Sequence, residues 1–533
     1  MRITSKVIQN NALSNINTNK ILQDKLNNQM STEKKINRPS DDPVIAIRAL
    51  RLRTNVSQIT QYYEKNAPDA ESWMKVTEDA LSTVSSVITD MIEQCGKGAN
   101  EKLTSEDRQT ILDALNQLRD EVYATGNADY AGRSVFTGYR TETTLKFTAD
   151  EKKKYSITEQ VDKTALDEIT YIDSGSINSI NDSNFNDPVH KNILENQVTS
   201  NSIYRLRLSY DSLDAADAYE TGVTPTLMTY DAATGTFTPV TKDDGAGNLV
   251  PIEPKVVAVN EDPDPYMSVG EDDIIVIKET GEMLLGKNVY NQLMAKEDDP
   301  TTEINEAEFR VTYQKTNWEK DDLKPEHYFA CTDSTDPAKP IVYNQDYLDL
   351  TGAVEKQAIE YDVGLNQAIR VNTTADEVFL HSIGRDVDDM INAMQDVVDM
   401  ENTVATLTKM VESDKYDDIT KETIQNQLDA ANKALTFLKE KAQKMFEGGI
   451  TKMQDHLNTV NGAVTRCGTR GKKLELIQNR LMSQKTNFET LQADNENADL
   501  TDVAIELSSA ELTYEAALMA TGKIMQTSLM NYI

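Results

Sequence analysis

The sequence is poor in the residues that build metal and disulfide sites. Its 533 residues include three cysteines and four histidines. The three cysteines form no even framework and no metal-type cluster, and Cys95 and Cys467 fall on apolar helical faces, where we expect small core residues. The third is Cys331, and the histidines are His190, His327, His381 and His456. No histidine has a ligand spacing such as His-Glu-x-x-His. We therefore expect no metal and no cofactor.

Phosphate-binding and catalytic patterns are also missing. No Walker-type or dinucleotide-type glycine loop occurs, and the Gly-Ala-Gly-Asn run at 245–248 is typical of a turn. Carboxylates are so abundant that no pair stands out as an acid–base couple. The acidic run 261–264 has prolines at 263 and next to it at 265 and lacks the pattern of a calcium loop, which favours a solvated loop. These absences predict a protein that is not an enzyme.

No apolar run approaches the length that is needed to span a bilayer, so we expect no membrane insertion. The N-terminus lacks the apolar core of a cleaved signal peptide. If the protein is secreted, another route must carry it.

Charge is unevenly distributed along the chain. The net charge is −34, yet residues 1–60 hold ten Lys or Arg against four Asp or Glu, a net +6, and residues 461–533 are near neutral at −2. The remaining residues, 61–460, therefore carry −38. Such a middle repels copies of itself while the ends do not, which suits a polymer packed through its termini and argues against nucleic acid as a ligand.

The C-terminal stretch 501–533 has the pattern of a coiled-coil helix. Apolar or small residues recur there at alternating spacings of four and three, which places them on one helical face. They are Val503, Leu507, Ala510, Tyr514, Ala517, Thr521 and Ile524. We predict that this face is a seam that packs against another helix.

The N-terminal stretch 1–43 is the predicted partner of that seam, although its pattern is weaker. Apolar residues keep a heptad register, and two asparagines occupy the seam between them; such asparagines fix register at a cost in stability. The seam residues are Ile8, Ala12, Asn15, Asn19, Leu22 and Leu26. We expect both ends to order only on assembly. The alternative is two ordinary helices docked on the monomer.

A rigid break follows the N-terminal stretch. The run Asn37, Arg38, Pro39, Ser40, Asp41, Asp42, Pro43 ends in a helix start. Asp42 is the predicted N-cap and Pro43 the first helical residue, where its missing N–H costs nothing. Pro68 should kink or split the helix that follows, and a second helix should begin near Thr104 or Ser105.

The period changes from helical to strand-like between about residues 150 and 375 and returns to helical after 376. Alternation at 204–210 and 309–313 predicts strands, and 274–285 reads as a hairpin around a glycine turn. The fold class is therefore α+β: an elongated helical bundle or coiled coil from the two terminal regions, with an inserted β-rich outer region. The expected divisions are 1–43, 44–150, 151–375, 376–494 and 495–533, the first and last being the two halves of the terminal coiled coil.

Several segments of the sequence resemble those of one known family. Residues 31–43 are similar to its signature between the terminal coil and the first long helix, and 132–141, with its Gly-Tyr-Arg-Thr ending, to the segment that leads into its outer domain. Residues 361–379 resemble the return from that domain, and 507–533 the C-terminal coil. The family is that of the bacterial flagellar hook–filament junction proteins, the third hook-associated proteins of the flagellin-like superfamily. Glu33 stands where the family usually has glycine, which argues against a tight positive-φ turn there.

The resemblance implies an extracellular structural protein that joins the hook to the filament of the flagellum. It implies export through the flagellar type III apparatus, and it implies a chaperone that binds the C-terminal helices before secretion. Its neighbours would be copies of itself, another hook-associated protein and flagellin.

Two alternatives stay open at this point. The chain could be a flagellin, the bulk subunit of the filament, which shares the same terminal logic. It could also be a flagellar surface protein whose β-rich insertion binds a ligand.

Overall fold

The computed structural model describes residues 5–100, 102–173, 177, 180–215, 225–261, 263–298, 305–349 and 356–530. Long helices occupy both ends of this chain. They are α1 (Ser5–Thr32), α2 (Pro43–Gln61), α3 (Ala67–Gly98), α4 (Ser105–Thr125), α5 (Lys287–Met294), α6 (His381–Glu412), α7 (Asp418–Glu496) and α8 (Leu500–Met530). No helix among the described residues is long and apolar enough to cross a membrane.

Strands fill the middle of the chain. In order they are β1 (Asp129–Tyr130), β2 (Arg133–Ser134), β3 (Glu151–Val161), β4 (Leu166–Asp173), β5 (Thr199–Arg207), β6 (Thr226–Asp231), β7 (Thr236–Pro239), β8 (Thr241–Asp243), β9 (Leu249–Pro251), β10 (Lys255–Val257), β11 (Ile274–Ile277), β12 (Glu282–Leu285), β13 (Phe309–Trp318), β14 (Ala330–Asp333), β15 (Ile341–Tyr343), β16 (Glu360–Gly364) and β17 (Gln367–Arg370). Together with the long terminal helices, they confirm the predicted α+β class with a β-rich middle.

The larger strands form two sheets. One has the order β15-β14-β3-β13-β6-β7 and the other β10-β11-β12-β5-β4, and three further pairs are two-stranded. The predicted hairpin at 274–285 is confirmed as β11 paired antiparallel with β12. Gly281 closes its turn at φ 64°, where a Cβ would lie 2.0 Å from the Tyr210 carbonyl oxygen, so only glycine fits. The run 245–248 is the predicted turn, between β8 and β9.

Contacts divide the chain into two units. Unit 1 comprises Met1–Glu71, Tyr361–Ile369 and Lys472–Ile533, and unit 2 comprises Ser72–Glu360 and Arg370–Gly471. The boundaries fall within α3, α7 and the β16–β17 pair. The five-part division expected from the sequence stays a prediction.

The helix starts follow the capping chemistry of the sequence. The Asp42 carboxylate accepts hydrogen bonds from the backbone N–H groups of Val44 and Ile45, and Pro43 is the first helical residue of α2, as predicted. Thr104 and Asp107 form a capping box at the start of α4.

A π-helical turn lies where Pro68 predicted a kink or a split. Residues 62–66 form the π turn between α2 and α3, and the N–H of Ala67 donates to the carbonyl of Tyr62, five residues back. Because Pro68 has no N–H and its ring crowds the carbonyl four residues earlier, the wider turn accommodates it without breaking the helix.

Unit 2 has an extensive core in both its helical and its β-rich parts. Cys95 and Cys467 are buried and free, which confirms the sequence expectation of small core residues. Both tryptophans are buried, Trp73 in α3 and Trp318 at the end of β13. The Trp318 ring stacks on Phe147 at a centroid distance of 5.0 Å. Aromatic contacts of this kind add to the stability that area burial provides.

Buried ion pairs tie β5 to α6 within unit 2. Arg205 pairs with Glu282 and Asp389, and Arg207 pairs with Asp389 and Asp386. The side chains of Arg205 and Arg207 are at most 10% exposed. Charges this deep are tolerated only when they are paired, so removal of one partner leaves an uncompensated buried charge.

The segment 138–140 meets residues 357 and 372 at the base of the β-rich region. Gly138 has φ 60°, and a Cβ there would lie 2.0 Å from the Gln357 Oε1 atom. The same Oε1 accepts a hydrogen bond of 3.1 Å from the Tyr139 N–H, and Asn372 donates to the Gln357 carbonyl. The Gly-Tyr-Arg-Thr run of the resemblance is therefore a tight turn held by buried polar contacts.

Candidate assembly interface

Helices α1 and α8 of unit 1 pack against each other. Their shared core consists of Leu26, Val503 and Ala510, which are 2%, 7% and 5% exposed, with Leu507 and Ala498 packed against them. All of these except Ala498 belong to the predicted seam, at the end of α1 and the start of α8. The pairing confirms that the two ends of the chain are partners; their role in assembly stays a prediction.

The seam of α8 follows the predicted register over its described length. Tyr514, Ala517 and Thr521 are half-buried, whereas most of their neighbours are exposed. The side chain of Ile524 lies outside the described residues. The four-three spacing therefore identifies the inner face of α8 from Val503 to Thr521.

Half of the seam positions predicted for α1 lie on its inner face, and the others are displaced by one residue along the helix. Ala12 and Asn19 are half-buried and Leu26 is buried, as the seam requires. Ile8, Asn15 and Leu22 are instead exposed. Ile16 and Gln23 take the half-buried places in the stripe. Since apolar residues of α1 are spread around the helix, two neighbouring registers fit the sequence, and contact with α8 selects between them.

The break after α1 is held by its own side chains. The Asp41 carboxylate accepts hydrogen bonds from the backbone N–H groups of Asn37 and Arg38, at 3.1 and 2.9 Å. These bonds lower the pKa of Asp41 below its usual value. Pro39 is exposed within this turn. Asp41 therefore orients the turn, and the adjacent Asp42 caps the next helix.

Glu33 adopts the turn that the sequence argued against. Its φ is 57°, in the left-handed region that non-glycine residues avoid. The Glu33 carbonyl accepts a hydrogen bond from the N–H of Ala498, and the Lys35 N–H donates to the carbonyl of Glu496. The expectation of no positive-φ turn at Glu33 is therefore wrong, because hydrogen bonds to the α7–α8 connection hold the backbone there.

Glu496 is the centre of that connection. Its side chain is 5% exposed and accepts two hydrogen bonds of 2.7 Å from the Arg53 guanidinium of α2, with Lys34 Nζ at 3.8 Å. The hydrogen bonds from Arg53 lower the pKa of Glu496, so the carboxylate stays ionised. We call Glu33, Lys34, Lys35, Arg53 and Glu496 the terminal clamp. It joins the break between α1 and α2 to the break between α7 and α8.

Sequence reasoning missed Glu496 and Arg53. Each lies on a helix among several other charged residues, so neither stands out by type or spacing. No local signal in the sequence marks them, because Glu496 is distinguished only by its burial against Arg53, more than 440 positions away.

The outer faces of the terminal helices carry large apolar side chains. On α8, Ile505, Leu512 and Met519 repeat every seven residues and are 64%, 69% and 70% exposed. On α2, Val44, Ile47 and Leu50 are also exposed. A helix that buries one apolar stripe and exposes a second can pack on two partners at once.

Opposite charges flank these outer faces. Helix α8 carries Asp502, Glu506, Glu511 and Glu515 against the single cation Lys523. Helix α2 carries three arginines and no acid. The terminal helices can therefore attract one another between molecules as well as within one, because the charge that flanks one apolar face complements that of the other.

The described residues contain no group of three or more His, Cys, Asp or Glu side chains able to hold a metal ion. Within the part of the chain that the structure covers, the terminal region offers packing surfaces and ion pairs. That chemistry suits an assembly interface.

Comparison with known proteins finds similarity to flagellar proteins. Residues 3–141 match the family described as the bacterial flagellin N-terminal helical region. The chain is 31% identical over 187 residues to flagellar hook-associated protein 3 of Salmonella typhimurium (strain LT2), a match that covers 34% of this chain and 58% of that protein. It is 32% identical over 168 residues to flagellar hook-associated protein 3 of Escherichia coli (strain K12), covering 30% and 52%. The chain thus spans about half the length of these relatives.

Among solved structures, flagellar hook-associated protein-3 from Legionella pneumophila aligns over 83% of this chain and 96% of its own. The identity is 11% and the TM-score 0.26.

Proposed function

We propose that this chain is a structural subunit of the flagellum, because it carries the N-terminal helical region of the bacterial flagellins and is related to flagellar hook-associated protein 3. In this proposal it joins the hook to the filament and assembles through its terminal helices. Its work is mechanical contact between neighbours, and it is not an enzyme.

The observation that carries the proposal is the double stripe of α8. The inner stripe, Val503 to Thr521, faces α1 of the same chain, while Ile505, Leu512 and Met519 stay exposed on the outside. Burial of such side chains contributes about 1.5–3 kcal/mol each. A monomer that leaves three of them in water can therefore gain a large favourable free energy when it associates. A structural subunit needs such a surface, whereas a monomeric enzyme does not.

The proposed partners are neighbouring subunits of the axial structure: other copies of this chain, another hook-associated protein and flagellin. Contacts between non-identical surfaces of successive subunits build helical arrays, and the acidic α8 and the basic α2 are non-identical and complementary. Nucleic acid is not a proposed partner, because the chain is strongly acidic.

The proposed location is the extracellular flagellum, reached through its type III apparatus. A chaperone that covers the C-terminal helices before export would bind the same outer stripe of α8, since that stripe is the large exposed apolar surface of the helix. The free cysteines Cys95, Cys331 and Cys467 suit a chain that is exported unfolded, because no disulfide has to form.

Flagellin is the second candidate, because the chain is also 31% identical over 127 residues to a flagellin of Clostridium tyrobutyricum, 33% of that protein. The two functions differ in propagation. Purified protein added to isolated hooks should form a short cap that stops, and flagellin should polymerise only beyond that cap. Long filaments grown from this protein alone would identify it as a flagellin instead.

A further inference from the structure

Helix α8 carries its second apolar stripe on the side opposite to the seam. The stripe consists of Ile505, Leu512 and Met519, and all three are exposed. Leu512 lies two residues from the buried Ala510, which places it about half a turn away around the helix. Contact with α1 through the seam therefore leaves this outer stripe available to another surface.

The start of α2 exposes a short apolar face of its own. Val44, Ile47 and Leu50 are 68%, 54% and 61% exposed. From Val44 to Leu50 the helix rises about 9 Å, close to the rise of about 10.5 Å between Ile505 and Leu512 on α8. The two faces therefore match in length over two turns. Because both are exposed in the same chain, neither covers the other within the monomer.

Charges beside the two faces are opposite in sign. Glu511 and Glu515 lie next to the outer stripe of α8, and both are exposed. Arg48 and Arg51 lie next to the apolar face of α2 and are also exposed. The remaining arginine of α2, Arg53, is held by Glu496 in the terminal clamp. Apolar surfaces with opposite charges at their edges are complementary, and such charges select one partner over others.

Two other surfaces of a second copy suit the outer stripe less well. A second α8 would bring Glu511 and Glu515 against their own copies, and like charges repel. Helix α1 spreads its exposed apolar side chains around the helix, with Leu13 and Ile21 among them, and carries Asp24 between its lysines. The face of α2 thus matches the stripe in apolar length and in charge, whereas the other two surfaces do not.

We propose that the outer stripe of α8 docks on the exposed apolar face of α2 in a second copy of this chain. The two arginines beside the α2 face then pair with the two glutamates beside the stripe. This inference rests on the proposed function and names the surfaces through which the subunits meet. Because the two surfaces differ, each copy offers one of each, and the contact passes from subunit to subunit without closing into a symmetric pair.

Charge reversal tests the pairing on isolated hooks. Two double variants, Arg48→Glu with Arg51→Glu and Glu511→Lys with Glu515→Lys, should each need at least about tenfold more protein to cap hooks, because attraction across the contact becomes repulsion. An equimolar mixture of the two should restore capping to within about twofold of the wild type, since each variant presents the charge that the other needs. Rescue by mixing can come only from a contact between molecules.

Asp90→Lys with Glu121→Lys is the matched control for the glutamate variant. It changes the net charge by the same amount, at exposed positions of α3 and α4 within unit 2. It should cap hooks as the wild type does. An equal loss of capping in the control and in the glutamate variant would assign the effect to net charge and overturn the pairing.

A disulfide trap locates the contact. The native cysteines are buried, so a cysteine introduced at an exposed position is the one that reacts. Oxidation of a mixture of Leu50→Cys and Leu512→Cys chains, both free in solution and on hooks, should give a linked dimer. The yield should be at least about fivefold higher than from a mixture of Ile21→Cys and Leu512→Cys chains, in which the thiols are not brought together.

Three results would overturn the inference. They are the absence of rescue in the mixed charge variants, preferential linkage of Leu512→Cys to Ile21→Cys, and preferential linkage of Leu512→Cys to itself. The second would place the stripe on α1 of the neighbour, and the third on a second α8. Formation of the 50–512 dimer by a protein that does not cap hooks would support this contact and contradict the hook-joining function alone.

Discussion

At the scale of single residues, Glu33 and Glu496 show how the two chain breaks of unit 1 are held. Glu33 adopts a backbone conformation that glycine takes more easily, and Glu496 is a carboxylate buried against one guanidinium. Neither feature follows from local sequence pattern. Both follow from contacts between residues more than 440 positions apart, which a one-dimensional pattern does not contain.

Glu33→Gly should stabilise the terminal clamp. An L-residue in the left-handed region costs about 1–2 kcal/mol, and the extra freedom of glycine in the unfolded chain offsets about half of the gain. We expect the opening free energy of the Ala498 amide, which donates to the Glu33 carbonyl, to rise by about 0.5–1 kcal/mol in hydrogen exchange. Glu33→Val is the control and should lower it, since a β-branched residue tolerates this φ poorly. Equal protection in Glu33→Gly and Glu33→Val would contradict the assignment of strain.

Glu496→Gln should loosen the same clamp. It keeps the shape of the side chain but removes the charge that accepts two hydrogen bonds from Arg53. Because Arg53 is more than half exposed, solvent screens the pair, and we expect the opening free energy of the Lys35 amide to fall by only about 1 kcal/mol at low salt and by less at high salt. A loss that is independent of salt would show that packing, not charge, holds the clamp.

At the scale of elements, α8 was predictable and α1 only in part. The seam of α8 keeps strict four-three spacing with small or apolar residues, so a single face satisfies the pattern. The apolar side chains of α1 are spread around the helix, with Leu13 and Ile21 56% and 71% exposed, and the sequence alone placed Asn15 and Leu22 on the seam. Contact with α8 determines which register α1 adopts, and the sequence pattern of α1 contains no information about that contact.

Leu507→Asp and Leu512→Asp form a matched pair on opposite faces of α8. Leu507 packs on the α1–α8 core, whereas Leu512 is exposed. A carboxylate at 507 should destabilise the helix pair by about 2 kcal/mol, seen as faster amide exchange in α1, and Tyr514→Asp should act in the same direction. Leu512→Asp should leave the monomer within about 0.5 kcal/mol of wild type and still abolish hook capping, because it charges only the outer stripe. Normal capping by Leu512→Asp would rule out that stripe as the contact.

The ion pairs between β5 and α6 predict an acid-sensitive unit 2. Burial alone raises the pKa of Asp386, but the hydrogen bond with His456 and the charges of Arg207 and Lys452 outweigh it and hold the pKa well below the usual 3.8. A depressed carboxylate pKa stabilises the fold above the unfolded-state value, and this stabilisation is lost as pH falls through the folded-state value. Wild-type stability should therefore drop between about pH 4 and pH 2.

Asp386→Asn isolates this effect. At pH 7 it should cost about 3 kcal/mol, because Arg207 loses a buried partner, and below pH 4 its stability should fall less steeply than that of the wild type. Fluorescence during urea unfolding reports on this unit alone, since both tryptophans, Trp73 and Trp318, belong to unit 2. Asp90→Asn, at an exposed position of α3, should behave as the wild type. The same acid slope in both variants would assign the sensitivity to other groups.

At the scale of the whole molecule, charge and period define the plan of the chain. The change from helical to strand-like period near residue 150 and back near 376 matches the positions of β3 and α6. The sheet order and the burial of the arginines of β5 could not be predicted from the sequence, because strand pairing joins segments that lie far apart in it.

Limited proteolysis tests the expectation that the tails order fully only on assembly. In the monomer, early cuts should fall before about residue 43 and after about residue 495, because a two-helix pair with a small core opens more readily than the large core of unit 2. Capped hooks should protect the same sites. Termini that resist protease in the free monomer would support the alternative of two docked helices.

In the proposed function, this chain is an adaptor at one position of the flagellum. Negative-stain microscopy of flagella labelled with an antibody against residues 150–375 tests it most directly. We expect label confined to the boundary between hook and filament. Label along the length of the filament would contradict it and identify the chain as a filament subunit.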